Sequence, residues 1–202
     1  MEAATGQRRL PGEKAQRIVE AMRASVARRG VAGSTFDHVA REAGVSRGLL
    51  HYYFGTKERL LAEVVKHDTE VRMTLLDAAV RGATTADDVL ERMVANMEDL
   101  ARADPELIAL VFELFALSRR HEEVAAEFAE LIRRLREQLA DLLRAKEEEG
   151  VVRLAADAEA VADVLFAMGD GMLLRMLADP GRDWSAAVAA GVEAARPLLD
   201  AA

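Results

Sequence analysis

Apolar side chains recur at three- and four-residue steps along most of the chain, which is the spacing of an amphipathic α-helix. The first such run begins near Gly12 and ends at Gly30. Two short runs follow on either side of Gly44, and a longer one begins at Thr56. The pattern predicts four helices in the N-terminal part of the chain.

Turn-forming and helix-capping residues divide the rest of the chain into about five further helices. These residues are Gly82 to Thr85, Asp104-Pro105, His121, Gly150 and Asp179-Pro180-Gly181. The helix after His121 carries an apolar seam suited to antiparallel packing in a bundle. The members of the seam are Phe128, Ile132, Leu135, Leu139 and Leu142. Because helix-forming residues are abundant and only four Pro are present, we expect an all-α fold.

The composition excludes several classes of site. The chain has no Cys, so disulfides, thiolate zinc sites and cysteine nucleophiles are excluded, and a cytoplasmic location is expected. The longest apolar stretch, Leu107 to Leu117, is interrupted by Glu113, and no apolar run follows Arg8 and Arg9. We therefore expect neither a membrane span nor a secretion signal.

Charge is distributed unevenly along the chain. The whole chain has a net charge of -8, which by itself argues against nucleic acid as a partner. Residues 1–67, however, carry 12 Lys and Arg against 7 Asp and Glu, a net charge of +5. Residues 68–202 carry 15 against 28, a net charge of -13. A basic segment followed by an acidic one is what a phosphate-binding domain joined to a domain of different function would show.

The segment from Thr35 to Lys57 has the pattern of a helix-turn-helix. Thr35 and Ser46 are suited to N-cap two short helices. Gly44 supplies the permissive backbone of the turn between them. Ala40 is small enough to let the second helix cross the first closely. The segment therefore predicts a compact pair of helices with one face left free.

The second of these helices, residues 47–53, carries an outward face that stability does not explain. Its members are Arg47, Gly48, Leu49, His51 and Tyr52. A Gly inside a short helix costs about 1 kcal/mol relative to Ala, and exposed Leu and Tyr gain nothing in water. In a DNA major groove, Gly48 permits close approach, Arg47 can address guanine O6 and N7, and Leu49 can contact a thymine methyl group.

The segment from Gly44 to Lys57, read as Gly-Val-Ser-Arg-Gly-Leu-Leu-His-Tyr-Tyr-Phe-Gly-Thr-Lys, resembles the DNA-binding signature of the TetR family of transcriptional repressors. The close resemblance runs from Ile18 to Leu61. It implies that the second helix enters the major groove of double-stranded operator DNA. The sequence departs from the usual family pattern at His51, where Tyr is more common, and at Gly55, where a polar or basic residue is common.

The resemblance assigns roles to individual residues of the segment. The base-facing positions are Arg47, Gly48, Leu49 and His51. Phosphate contacts fall to Thr35, Ser46, Tyr52, Tyr53 and Lys57. Thr56 joins this group because it begins a helix, as Thr35 and Ser46 do, and the free N–H groups of a helix start favour phosphate oxygens.

The resemblance also implies a domain organisation. A flexible basic arm, residues 1–11, precedes a helix-turn-helix domain of three helices at residues 12–60 and a larger helical domain at residues 61–202. In the family, the larger domain binds a ligand and forms a homodimer through its last two long helices. Here those helices are predicted at Asp157 to Ala178 and Trp184 to Leu199. Their partner-facing residues are expected to be Val161, Leu165, Met168 and Met172 on the first and Val188, Gly191, Val192 and Ala195 on the second.

The family's ligand is a small effector, and the C-terminal domain has side chains that fit an apolar or amphipathic one. Thioethers and aromatic rings can line an adaptable cavity. Candidates of this kind are Met93, Met97, Leu100, Phe112, Phe115, Phe166, Met168 and Met172. Asn96, Glu113 and Asp170 lie in otherwise apolar stretches and are candidates for polar contacts with the effector. A core or solvated position fits each of these residues as well.

Two other functions are alternatives to a regulator of this kind. An enzyme would need converging acid-base or metal-binding groups, but the four His, at positions 38, 51, 67 and 121, have no metal-ligand spacing, and acidic runs such as residues 147–149 are typical of solvated faces. We therefore expect no catalytic residue, metal or cofactor. A DNA-binding protein without an effector would not need a large acidic C-terminal domain, but the sequence does not forbid it.

Overall fold

The computed structural model describes residues 12–200, and these residues form nine α-helices joined by short turns. The helices are α1 Gly12–Gly33, α2 Phe36–Ala43, α3 Arg47–Phe54, α4 Lys57–Arg81, α5 Ala86–Ala103, α6 Pro105–Ser118, α7 Glu122–Glu148, α8 Ala158–Ala178 and α9 Ser185–Leu199. The predicted all-α fold is confirmed. The predicted arm, residues 1–11, lies outside the described residues.

The turns between helices lie where the sequence has its turn-forming residues. The predicted four helices before Gly82 are α1–α4, and the predicted five after it are α5–α9. Helix α1 reaches Gly33, but its helical geometry is interrupted at Gly30 (φ 68°, ψ 169°), where the sequence predicts its end. Local sequence signals therefore located the ends of the elements well.

The described residues divide into two compact units. The first, here called the head, comprises the described residues up to His67 together with Phe112–Phe128. The second, the body, comprises Asp68–Val111 and the described residues from Ala129 onward. Helices α4, α6 and α7 each contribute residues to both units. The domain boundary expected after residue 60 falls inside α4, and the division of the chain at that point stays a prediction.

The head is held together by apolar side chains from α1 to α4. Those buried completely include Ile18, Met22, Val39, Leu50, Leu60, Leu61 and Val64. Burial of a side chain of this size contributes about 1.5–3 kcal/mol to stability. The two buried hydroxyl groups of the head have partners, because Ser25 Oγ donates to Ser34 Oγ at 3.0 Å and Ser34 Oγ donates to the Gly30 carbonyl at 2.9 Å. The helix-turn-helix packs against this core through Val39 of α2 and Leu50 of α3.

The body packs α4, α5, α7, α8 and α9 around one apolar cluster. Its members include Val80, Val89, Leu139, Leu143, Val161 and Leu199. The predicted seam of α7 is confirmed at Leu139 and Leu142, which are buried. Ile132, another predicted member, is 38 % exposed, whereas Leu131 beside it is buried. Both positions are apolar, so the periodicity did not distinguish which one faces the core.

Helices α8 and α9 agree with the predicted ranges to within one residue. Of the eight predicted partner-facing residues, Met168, Met172, Gly191 and Val192 are partly exposed, and four are too buried to face a partner. Val161, Leu165, Val188 and Ala195 are buried within the chain's own body. The side chains that reach solvent lie on the opposite side of each helix, here called the outer face. On α8 they include Ala160, Val164, Ala167, Gly171 and Leu174, and on α9 Ala186, Ala190 and Ala194. Both sides of these helices are apolar, so a hydrophobic period cannot tell them apart.

One lysine of the body is almost fully buried, where it binds the end of a helix. Lys146 of α7 is 2 % exposed, and its Nζ donates to the carbonyl oxygens of Arg81 at 2.8 Å and Ala83 at 3.3 Å. It also donates to Glu149 Oε2 at 2.7 Å. Arg92 of α5 donates from Nη1 to another carbonyl oxygen in the last turn of α4 at 2.8 Å. The last carbonyls of a helix lack partners within it, so these two cations fix the end of α4 to α5 and α7.

Replacing Lys146 with Met removes these hydrogen bonds while keeping a long unbranched side chain. Because the Ala83 carbonyl oxygen left behind is buried and the Arg81 carbonyl oxygen is partly buried, we expect the free energy of unfolding to fall by about 2–3 kcal/mol. Urea unfolding followed by far-UV circular dichroism at fixed protein concentration measures this. The control, Arg102→Met, replaces an exposed cation of α5 and is expected to change the free energy by less than about 0.5 kcal/mol. Equal stability of Lys146→Met and the wild-type protein would refute the role of the lysine.

Candidate nucleic-acid interface

The helix-turn-helix begins with α2, whose two ends follow from the sequence. Thr35 has extended backbone angles and its Oγ1 accepts a hydrogen bond from the His38 N–H at 3.4 Å, as an N-cap does. At the other end Gly44 adopts a left-handed conformation (φ 66°, ψ 36°). The Val45 N–H then reaches back to the Ala40 carbonyl at 2.9 Å, which ends the helix and reverses the chain. The predicted role of Thr35 as N-cap and that of Gly44 in the turn are confirmed.

Helix α3 starts directly after this turn. Ser46 Oγ accepts from the Leu49 N–H at 3.2 Å, so the predicted N-cap is confirmed. Leu50 and Phe54 are buried in the head. Gly55 ends α3 with φ 70°, a conformation that a side chain would strain, and its N–H donates to the His51 carbonyl at 3.0 Å. Thr56 then caps α4 by accepting from the Arg59 N–H at 3.2 Å.

The side of α3 opposite to Leu50 and Phe54 faces solvent. Arg47, Gly48, His51 and Tyr52 are exposed, and Leu49 and Tyr53 are half-buried. We call the surface formed by Arg47, Gly48, Leu49, His51 and Tyr52 the α3 surface. A Cβ built on Gly48 would meet no atom of the described chain within 4 Å, so the glycine is not required by packing within this part of the protein. Tyr52 is 64 % exposed and lies edge to face with Tyr53. The surface has the shape expected for close approach of a partner.

Arg47 is held in place by two neighbours on the head. Its Nη1 donates to Asp37 Oδ2 of α2 at 3.3 Å, and its Nε donates to His51 Nε2 at 3.2 Å. His51 Nδ1 lies 3.3 Å from the Gly55 carbonyl oxygen, and the imidazole packs edge to face against Phe36 with ring centroids 4.7 Å apart. The two departures from the family pattern, at His51 and Gly55, are therefore in contact with each other.

Asp37 was not among the predicted site residues. It lies ten positions before Arg47, on a different helix, so no local spacing rule relates the two. The opposite charges of Asp37 and Arg47 near the ends of adjacent helices were the only available signal, and such pairs are common on protein surfaces.

The predicted phosphate-binding residues include Tyr52 of the α3 surface, and four of the others already make hydrogen bonds within the head. The hydroxyl oxygens of Thr35, Ser46 and Thr56 accept backbone N–H groups, which leaves each O–H free to act as a donor to an anion. Lys57 Nζ donates to the Val31 carbonyl at 3.1 Å, and an ammonium group has two further donors. These contacts are compatible with the predicted phosphate contacts and do not test them.

The predicted ligand-binding residues are shared between the two units. In the body, Met93 of α5 and Phe166 and Met168 of α8 pack against the apolar cluster. Asn96, Met97, Leu100 and Met172 are partly buried. Asp170 reaches solvent on α8, yet the apolar surroundings of its carboxyl group raise its pKa above the ordinary value by desolvation.

The remaining three predicted ligand-binding residues belong to the head. Phe112 is partly buried, Glu113 is exposed, and Phe115 is 50 % exposed with its ring centroid 5.8 Å from that of Phe128. The ligand-binding set as a whole stays a prediction. Among residues 12–200, no three His, Asp or Glu side chains are placed to hold a metal ion, and no helix is long and apolar enough to cross a membrane.

Comparison with known proteins places this geometry in a family. Residues 18–64 match the family of bacterial regulatory proteins called tetR, and residues 86–201 match the C-terminal region of BetI-type transcriptional repressors. The second match alone covers more than half of the chain. The predicted resemblance to the TetR family is therefore confirmed.

Individual relatives agree with the family matches. The HTH-type transcriptional regulator BetI of Rhizobium meliloti is 34 % identical over 161 residues, which cover 78 % of this chain and 75 % of that protein. The solved structure of Salmonella enterica GusR covers 96 % of this chain and 99 % of its own with a TM-score of 0.73 at 23 % identity. The transcriptional regulator FadR from Bacillus subtilis, solved in complex with stearoyl-CoA, covers 89 % and 96 % with a TM-score of 0.70 at 19 % identity. These two structures have the same fold as this chain.

The family and the curated relatives regulate transcription, and they are not enzymes. A regulator of this kind binds DNA through an exposed face of a helix-turn-helix. The α3 surface is such a face, and the two helices that carry it are capped and packed on the head. The chain belongs to the TetR family of DNA-binding transcriptional regulators.

Proposed function

We propose that the chain is a cytoplasmic repressor that binds a palindromic operator as a homodimer through α3 and leaves it when a small, largely apolar effector binds. The observation that carries the proposal is the α3 surface, where a guanidinium group, an open glycine and an aromatic ring face solvent on a rigidly packed helix. The similarity of residues 86–201 to BetI-type repressors supports repression as the direction of control.

On the operator, the α3 surface lies in the major groove. Arg47 donates to guanine O6 and N7, Leu49 contacts a thymine methyl group, and Gly48 brings the helix backbone close to the base edges. His51 faces the bases beside Arg47. The flanking phosphates are bound by Thr35, Ser46, Tyr52, Tyr53, Thr56 and Lys57. The phosphate contacts position the head, whereas the base contacts select the sequence.

Arg47→Ala tests whether α3 reads bases. On an operator selected from random DNA by the wild-type protein, we expect the variant to lose about 1–3 kcal/mol of binding free energy and to lose its preference at one base pair per half-site. Lys57→Ala, which removes a proposed phosphate contact, is expected to weaken binding to selected and random DNA by the same factor. Fluorescence anisotropy with both DNAs measures this. The base-reading role is wrong if Arg47→Ala binds both DNAs as the wild-type protein does.

The outer face of α8 and α9 is the surface through which we propose that two copies pair. On α8 its members Ala160, Val164, Ala167, Gly171 and Leu174 follow alternating four- and three-residue steps, the spacing of a helix-packing seam. Val164 and Leu174 are 46 % and 47 % exposed in the single chain. Small residues on both helices allow four helices, two from each copy, to approach closely. Operator binding by such a dimer requires its two α3 helices to meet successive major grooves about 34 Å apart.

Leu174→Glu tests this pairing by placing a carboxylate on the proposed interface in each copy. We expect the variant to sediment as a monomer and to bind the full operator much more weakly, because each half-site is then bound separately. Leu75→Glu is a matched control, since Leu75 is 51 % exposed and belongs to α4 and not to α8 or α9. The control is expected to remain dimeric. A dimeric Leu174→Glu would place the interface elsewhere.

We assign effector binding to the body, where α5 and α8 carry Met93, Asn96, Met97, Leu100, Phe166, Asp170 and Met172. The thioethers and the Phe ring adapt to an apolar ligand, and Asn96 and Asp170 are available for its polar end. Phe112, Glu113 and Phe115 of α6 belong to the head, so their place in the ligand-binding set stays a prediction from the sequence. The effector releases DNA if it binds more tightly to a conformation of the dimer in which the two α3 helices no longer match the operator. A differential affinity of a few kcal/mol is sufficient.

Thermal melting against a panel of apolar and amphipathic compounds, including stearoyl-CoA, tests the effector. A ligand at 100 times its Kd stabilises the folded state by about 2.7 kcal/mol, which is measurable as a rise in Tm. The same compound should dissociate the operator complex, and Met97→Ala should reduce both effects. If no compound of the panel raises the Tm, the chain is better described as a DNA-binding regulator without an effector.

A further inference from the structure

We propose that Asp37 is a positioning residue for Arg47 and thereby a determinant of operator specificity. Together with His51 it holds the guanidinium group in the orientation that reads a base, and its negative charge disfavours binding where no guanine meets Arg47. The inference rests on the proposed role of α3 in DNA reading. No part of it depends on the body or on the effector.

The geometry restrains Arg47 at two different nitrogen atoms. Nη1 donates to Asp37 and Nε donates to His51. Because His51 Nε2 accepts this hydrogen bond, the neutral ring carries its proton on Nδ1, which lies 3.3 Å from the Gly55 carbonyl oxygen that can accept it. The ring is further held by its contact with Phe36. Asp37 and His51 therefore fix a long side chain that would otherwise sample many rotamers in water.

The restraint leaves Arg47 able to bind a base. A guanidinium group has five N–H donors, and the contacts with Asp37 and His51 use two of them. Three donors remain, and guanine O6 and N7 need two. The Arg47 side chain can thus keep both contacts on the operator, and the entropy of ordering it is lost before the DNA arrives.

The carboxylate of Asp37 also acts on incorrect DNA. It lies beside the α3 surface, where phosphate oxygens and base acceptors approach, and its charge repels them. On the operator, the Arg47 guanidinium group lies between the carboxylate and the guanine acceptors and compensates this repulsion. On DNA that offers Arg47 no guanine, the repulsion has no compensation. Specificity gained by penalising the wrong partner is a general property of selective interfaces.

Stability does not account for the pair. The side chains of Arg47 and Asp37 are 60 % and 65 % exposed, and pairs this exposed add little to the stability of a fold. Asp37 also lies in the first turn of α2, where a carboxylate contributes about 0.3–1 kcal/mol, so we expect the free energy of unfolding of Asp37→Asn to fall by no more than about 1 kcal/mol and the variant to stay folded. Any change in DNA binding then reports on the interface and not on folding.

Asp37→Asn is the direct test, measured by anisotropy on the selected operator, on operators with single base replacements and on random duplexes. Removing a negative charge near phosphates should tighten binding to random DNA by about threefold. Binding to the operator should not tighten, so the ratio of operator to random affinity should fall by about threefold or more, and the loss of preference should be confined to the base pair read by Arg47.

Glu42→Gln is the matched control. Glu42 lies on the same helix and carries the same charge, but it pairs with Arg28. This variant should tighten operator and random DNA by similar factors and leave the base preferences unchanged. If Asp37→Asn behaves in the same way as Glu42→Gln, Asp37 contributes only bulk charge and the proposal is wrong. The proposal is also wrong if Asp37→Asn binds the operator more tightly than the wild-type protein does and gains specificity. In that case the carboxylate keeps Arg47 away from the base instead of positioning it.

The double variant Arg47→Ala with Asp37→Asn separates this proposal from the one on which it rests. In the Arg47→Ala background, Asp37→Asn should change the affinity ratio no more than Glu42→Gln does. If Arg47→Ala alone leaves base preference intact, base reading by α3 fails. If Arg47→Ala relaxes the preference and Asp37→Asn does not, base reading stands and only the positioning role fails.

Discussion

The close turn between α2 and α3 is the constraint on which the DNA-binding surface depends. At Gly44 the backbone enters the left-handed region, and the Val45 N–H closes the end of α2 on the Ala40 carbonyl. Only two residues later Arg47 begins α3. Because the turn is so short, the crossing of the two helices sets at once which side of α3 is buried and which is free. A residue with a side chain would be strained in the left-handed conformation of Gly44, and relief of that strain would displace the whole α3 surface.

Much of the head was predictable because its determinants are local. The caps at Thr35, Ser46 and Thr56 act within three residues of themselves, and the alternation that buries Leu50 and Phe54 is visible in eight residues of sequence. The same locality explains why turn residues marked the helix boundaries correctly. Where a rule relates residues within one or two helical turns, the sequence contains all the information that the rule needs.

The long-range contacts of the body and part of the site were not predictable, because their determinants are not local. Lys146 binds the Arg81 carbonyl across 65 positions of sequence, and Asp37 binds Arg47 across ten and between two helices. No period connects such pairs. On α8 and α9 the difficulty was different, because Ala, Val and Gly on both sides give no contrast between the side facing the core and the side facing solvent. Val161, Leu165, Val188 and Ala195, which are buried in the body, were therefore assigned to the partner, although the helices themselves were located correctly.

The contacts around Arg47 lie within a single short stretch of the chain. Asp37, Arg47, His51 and Gly55 all fall between the caps at Thr35 and Thr56, and none of these contacts involves a residue of the body. A recognition unit of this kind is transferable: exchanging residues 35–57 between regulators of the same fold carries the arginine together with the groups that orient it. Exchanging Arg47 alone would leave its restraints behind. If Arg47 reads a base as proposed, the unit of change in DNA preference is the segment 35–57 and not the single residue.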